Sequence, residues 1–162
     1  MSATPAIHAL RRLGIPFTQH VYRYEDHGGT RVSARELGVS EHAVVKTLVL
    51  ENERKQPLIV LMHGDREVSL KALARAIGVK TVAMCRPDVS ERHTGYLVGG
   101  TSPFGTRKPL PVYAERTILD LDVAYVNGGR RGFLVGLTPA ALISALHATL
   151  VEVSDAGAAP DA

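Results

Sequence analysis

The chain has no tryptophan, only five tyrosines and three phenylalanines, and a single cysteine. So few rings rule out the tandem stacking platforms on which general single-strand binders lay successive bases. One cysteine, Cys85, excludes an internal disulfide framework and points to a reducing compartment. No apolar run reaches the length of a membrane-spanning helix, and none follows Met1 as in a secretory leader, so a cytoplasmic protein with no membrane association is expected. The seven histidines are scattered, without H-x-H or H-E-x-x-H spacing and without a cysteine cluster, so neither a metal nor another cofactor is expected. A G-x-S-x-G nucleophile elbow and a Walker-type phosphate loop are also missing. The net charge of +3 permits a nucleic-acid partner without demanding one.

What is present is a 162-residue chain that is 45% hydrophobic, enough for one self-sufficient core. No linker or repeat divides it. The expected organisation is one domain over 1–153 and an Ala/Gly/Pro/Asp-rich flexible tail over 154–162. Thr4-Pro5 opens a first helix that Gly14 closes, and Phe17–Tyr24 reads as a strand. Short helices are expected over Val32–Leu37 and Ser40–Val44. Val45–Leu50 and Leu58–Met62 are apolar on successive residues, as in strands covered on both faces. Ser69–Gly78 is an amphipathic helix closed by glycine, followed by a strand at Thr81–Met84 and a short helix after Pro87. Pro111–Glu115 reads as a strand. Val123–Val126 and Gly132–Leu137 form a hairpin whose tight turn is expected at Asn127-Gly128-Gly129-Arg130. Thr138-Pro139 caps a helix to about Ala148, and Leu150–Val153 adds a last strand. The order is mixed, giving an α+β fold with a curved, partly barrel-like mixed sheet and flanking helices.

Two features stand out chemically. In the run from Gly95 to Gly105, four of eleven residues are glycine, which marks a chain held in unusual dihedrals or brought against a ligand. Thr106-Arg107-Lys108 sets cations beside it, which suits a partly anionic ligand. Lys46 is the other. It shares a strand face with Leu48 and Leu50, and lysine is almost never fully buried unpaired. It either snorkels to solvent or projects into a cleft to hold a phosphate, carbonyl or carboxylate; spacing does not choose between these. Tyr22 shares a face with His20 and Tyr24, as a pocket wall or as an ordinary amphipathic surface. Cys85 reads as a packed, inert thiol, and Ser102 and Thr101 have no base at a recognisable spacing. His63-Gly64-Asp65 reads as a turn, with a His–Asp pair near a cleft as the other reading. Gly128-Gly129-Arg130-Arg131-Gly132 is a hairpin tip with solvated arginines, or part of an RNA-facing rim.

Taken together, Lys46-Thr47-Leu48-Val49, the segment Thr94–Gly105 and Gly128–Gly132 resemble the YbaK/EbsC family of aminoacyl-tRNA deacylases. The likeness runs collinearly over about residues 4–153. It is strongest to the Cys-tRNA(Pro) deacylase branch, which is related to the editing domain of prolyl-tRNA synthetase. The resemblance implies an enzyme that removes cysteine from mischarged Cys-tRNA(Pro), with Cys-tRNA(Cys) a second candidate, by attack of the substrate's own thiol. It implies catalytic roles for Lys46, Gly99, Gly100 and Ser102. It also implies substrate binding by Tyr22, Thr47, Thr101, Gly128, Gly129 and Arg130. Thr101 departs from the more apolar residue common at its position. The implied partners are the aminoacylated 3′ end of tRNA and prolyl-tRNA synthetase. The alternatives are a water-using deacylase of Ala-tRNA(Pro) or another mischarged tRNA, a non-enzymatic RNA- or nucleotide-binding module, and a small-molecule binding protein.

Overall fold

The computed structural model describes residues 3–155. Helix α1 (Pro5–Arg12) starts where its caps dictate: the Thr4 hydroxyl accepts the Ile7 N–H at 3.2 Å and Pro5 fills the first turn. It buries Ala6, Ile7, Ala9 and Leu10. Strand β1 (Thr18–Val21) is shorter than the aromatic pattern suggests. Its partner strand ends at Phe133, opposite Val21; the Tyr22 N–H still bonds the Gly132 carbonyl at 2.9 Å, and Arg23 and Tyr24 lie beyond the strand. Helix α2 (Gly29–Leu37) begins three residues earlier than expected and stops at left-handed Gly38, and a single 3₁₀ turn, Glu41–Ala43, follows.

Strands β2 (Val45–Asn52) and β3 (Pro57–His63) pair antiparallel at the centre of a five-stranded sheet. Beside them lie β5 (Val82–Met84), β6 (Val112–Glu115) and β9 (Thr149–Val151), in the order β5-β2-β3-β6-β9, the last two parallel to β3. Both faces are covered, as the continuous apolar runs require. Val45, Val49, Ile59 and Leu61 pack toward α1 and a second sheet, with Phe104 and Leu142 in the same cluster. Leu50, Leu58, Val60 and Met62 pack on helix α3 (Leu70–Ile77), which Ser69 caps and left-handed Gly78 ends. Each such side chain contributes about 1.5–3 kcal/mol of transfer free energy.

The second sheet holds β1, β7 (Ala124–Arg130) and β8 (Phe133–Leu137) in the order β1-β8-β7. A parallel bridge between Val44 and Tyr125 joins it to the root of β2. The sheets therefore curve around one core without closing a barrel. Helix α4 (Pro87–Thr94) precedes the glycine run, and α5 (Pro139–Leu146) ends at left-handed His147, before Ala148. Three elements were not expected, the first a 3₁₀ helix over Arg116–Asp120 after β6. Strand β4 (Glu67–Val68) pairs with β10 (Ser154–Asp155), so the ordered chain extends past residue 153. The rest of the expected tail, 156–162, lies outside the described residues.

The hairpin turn also lies elsewhere than the Asn-Gly pair suggests. Asn127 to Arg130 stay within β7, where the register shifts between Asn127 and Arg130, and the turn falls at Arg131-Gly132. Asn127 Oδ1 accepts the N–H groups of Gly129 at 2.7 Å and Arg130 at 3.1 Å, stabilising a bulge in place of a turn. A Cβ on Gly128 would lie 2.5 Å from the Phe133 ring; Gly129 has φ +107° and lies against Thr4 and Tyr96. Gly129→Ala is therefore expected to lower stability by about 1–3 kcal/mol, read by chemical denaturation.

At the end of β3, His63 is only 1% exposed. Its Nδ1 lies 2.8 Å from the His42 carbonyl and its Nε2 2.8 Å from the Thr117 hydroxyl. A carbonyl only accepts, so Nδ1 carries the proton and Nε2 accepts from Thr117: a neutral ring with both nitrogens satisfied. The His42 ring stacks on it at 3.7 Å and pairs with Asp65 at 2.8 Å, so Asp65 serves His42 and not His63. Burial pushes the His63 pKa below its ordinary value. The unfolded chain thus binds the proton more readily, and the stabilisation is complete above about pH 6.5 and lost as the pH falls toward the folded value. The melting temperature is expected to drop between pH 7 and pH 5, and His63→Gln should flatten that slope.

Candidate active site

Strand β5 pairs with β2 only from Leu50 to Asn52, and the N–H of Cys85 caps that pairing on the Val49 carbonyl at 3.0 Å. Backbone groups two residues apart point the same way along a strand, so those of Thr47 face the same open edge. Along that edge runs a cleft of about 560 Å³. The chain that left β1 supplies one wall, with Tyr22 and Tyr24, and the start of α2 adds Thr30 and Ser33. Met84, Cys85, Pro87 and Ser90 form the opposite side. Val98, Gly99, Thr101, Asn127 and Arg131 close the mouth.

Lys46 lines this cleft with its side chain 20% exposed, and its Nζ donates to Glu67 Oε2 at 3.1 Å. The residue thus borders the cleft, while its ammonium meets a carboxylate that does not line it. The carboxylate partner was not foreseen, because it stands on a two-residue strand 21 residues away. Thr47 also lines the cleft, and its hydroxyl oxygen is buried with no hydrogen-bond partner. Tyr22 packs with Ala34, Val44 and Leu134; burial raises its phenol pKa, so it stays a neutral hydroxyl at physiological pH.

The glycine run is a clamped loop. Gly95 ends α4 at φ +81°, and the Gly100 N–H closes a turn on the Leu97 carbonyl at 2.8 Å. Asn127 Nδ2 donates to the Gly99 carbonyl at 3.1 Å, and Arg131 Nε to the Val98 carbonyl at 3.0 Å. Gly99 has φ +91°, and a Cβ there would lie 2.7 Å from the Tyr24 hydroxyl. The Arg131 guanidinium sits 5.3 Å above the Tyr24 ring. Loop, tyrosine and arginine thus form one packed unit at the cleft mouth.

Several expected site residues lie elsewhere. Ser102 is fully buried and its Oγ accepts the Phe104 N–H at 3.2 Å, so it supports the loop from beneath. Gly100 is small because a Cβ would meet the backbone of Arg130 and Arg131 at 2.8–2.9 Å. Gly128 and Gly129 belong to the β7 bulge, and Arg130 lies over Phe133 at 4.4 Å. Arg131, its neighbour, reaches the cleft instead, because the bulge and turn reset which residue faces inward. Tyr24 and Arg131 were each one of two readings, a pocket wall and an RNA-facing rim, while Asn127 and Glu67 were missed.

The cleft offers a cation, backbone amides and hydroxyls, among them that of Thr30, which donates to Glu41 Oε2 at 2.8 Å. Burial pushes the Cys85 thiol up to about 11, so it stays protonated near neutrality. Ser33 donates to the Thr30 carbonyl at 3.1 Å, so its hydroxyl proton is not shared with a base. Among the described residues, no three His, Cys, Asp or Glu side chains are grouped to hold a metal ion, and no helix is long and apolar enough to cross a membrane.

This architecture is shared with known proteins. Residues 28–145 match the model of the aminoacyl-tRNA editing domain. EbsC of Enterococcus faecalis, named as a candidate Cys-tRNA(Pro)/Cys-tRNA(Cys) deacylase, is 30% identical over 152 residues, covering 93% of each chain. A proline–tRNA ligase of Thermodesulfovibrio yellowstonii is 28% identical over 126 residues, 76% of this chain but 21% of the ligase. A crystal structure described as a candidate trans-editing enzyme for prolyl tRNA synthetase superposes with a TM-score of 0.83 at 22% identity, over 96% of this chain and 99% of the other. The editing-domain model spans the chain from α2 into α5, and together with the likeness to EbsC over nearly the whole chain it makes this protein a member of the aminoacyl-tRNA editing domain family, an aminoacyl-tRNA deacylase.

Proposed function

We propose that the protein removes cysteine from mischarged Cys-tRNA(Pro), with the substrate's own thiol as nucleophile. The observation that carries this reading is a cleft with a lysine and backbone donors in which the one thiol is held protonated and the Ser33 hydroxyl is spent on a backbone carbonyl. In the proposed step the cysteinyl sulfur attacks the ester carbonyl carbon. A C–S bond forms, the bond from that carbon to the ribose oxygen breaks, and the thiol proton passes to the leaving oxygen. The amino acid departs as a cyclic thiolactone. Such an attack is intramolecular, so the protein's task is to fix geometry and stabilise the oxyanion.

In this scheme Lys46 holds the terminal adenosine's phosphate or sugar, or the developing charge. The Gly100 N–H is spent on the loop's own turn, which leaves those of Gly99 and Thr101 as the oxyanion donors. Tyr22 and Thr47 line the place of the aminoacyl group, and the Tyr24–Arg131 pair offers a stacking face to the terminal base. With few cations at the mouth, tRNA is held weakly and delivered by prolyl-tRNA synthetase in the cytoplasm.

The test is deacylation of tRNA(Pro) charged in turn with Cys, Ala, Ser and Pro. Release of cysteine is expected to dominate; equal rates for Cys and Ser would overturn the thiol step and point to an activated water. Lys46→Ala should slow Cys release by about 100-fold or more, the usual loss for a group that stabilises developing charge. Cys85→Ala should stay within about two-fold of wild type, since a protonated thiol performs no attack. Ser102→Ala should cost about 1 kcal/mol of stability and leave the chemical step in place. Loss of activity in Cys85→Ala equal to that in Lys46→Ala would replace substrate assistance with a protein nucleophile.

A further inference from the structure

We infer that Glu67 is a positioning residue for Lys46, held in place by the C-terminal strand β10. The inference rests on the reading of Lys46 as the working cation of the deacylation cleft. A lysine on a strand face has four rotatable side-chain bonds, and nothing in its own strand selects one direction for the ammonium. Glu67 Oε2, 3.1 Å from Nζ, supplies that selection. Glu67 itself does not line the cleft, so it acts on a substrate only through Lys46.

The carboxylate is fixed by its backbone rather than by burial, since its side chain is 62% exposed. A tight turn, with the Arg66 N–H on the His63 carbonyl at 3.1 Å, leads from β3 straight into β4. On the other side of β4, the Ser69 N–H donates to the Val153 carbonyl at 2.8 Å, and the register sets Val68 opposite Ser154 and Glu67 opposite Asp155. The Val153 N–H is in turn anchored on the buried Glu115 carboxylate at 2.7 Å. The family match ends at residue 145, so β10 adds a support for the site from outside the matched region.

An ion pair this exposed has a modest effect, so the expected loss is about two- to five-fold in kcat for Glu67→Ala with KM unchanged. Glu67→Gln keeps an acceptor oxygen and should recover at least half of that loss. In a Lys46→Ala background, Glu67→Ala should have no further effect on the residual rate. An NMR order parameter for the Lys46 side chain, measured without substrate, should fall in Glu67→Ala and be restored in Glu67→Gln. Wild-type kcat in Glu67→Ala, a lowered KM, or an independent loss on top of Lys46→Ala would overturn the inference, as would an unchanged order parameter. If the wild-type protein released no amino acid from any mischarged tRNA, the deacylation reading would fail, while the NMR comparison would still decide whether Glu67 places Lys46.

Discussion

Everything at the cleft depends on the incomplete pairing of strand β2. Over its whole length β3 takes one edge, and both faces carry packed apolar side chains, so the strand cannot shift or tilt. On its other edge β5 stops at Leu50, and the bridge from Tyr125 reaches only Val44. Between these points a rigid strand presents open backbone and the Lys46 side chain. An unpaired strand edge is normally a hazard that invites intermolecular pairing. Here it is set in a cleft bordered by the start of α2, the glycine loop and the Met84–Cys85 corner.

The glycine-rich loop owes its composition to backbone angle and packing together, since Gly95, Gly99 and Gly105 all have positive φ. Within it Gly100 is small because the Arg130–Arg131 backbone occupies the place of a Cβ, and Gly105 lies against Pro5 in the same way. Gly99 alone combines a positive φ with a position at the cleft mouth. Arg131 and Asn127 pin the loop by its carbonyls, and a loop held this way keeps its remaining N–H groups at fixed positions. That is preorganisation of the kind that stabilises charge without reorganisation cost at the moment of reaction.

Much of this could be read from the residues themselves. Caps at Thr4, Ser69 and Thr138, and stops at Gly38 and Gly78, act within one turn of chain, so the helices fell where local chemistry puts them. The unbroken apolar runs of β2 and β3 announced burial on both faces. The β7 bulge was not legible, because Asn-Gly serves a tight turn and a bulge equally well and the choice came from Phe133, Thr4 and Tyr96, distant in sequence or across the hairpin. The same ambiguity hid Arg131 behind Arg130. Ser102 looked available only because nothing local shows that it is fully buried, with its Oγ on the Phe104 N–H.

The sequence by itself determined the element types, the two-faced sheet and the candidate status of Lys46, since these follow from periodicity, capping and the rarity of a lysine among apolar neighbours. Only the tertiary structure decided which way that lysine points and what holds it. Its carboxylate partner stands on a two-residue strand that no local pattern could reveal, and that strand exists because the chain's last described residues return to pair with it. Contacts of this kind bring together residues far apart in the chain, and no local propensity encodes them.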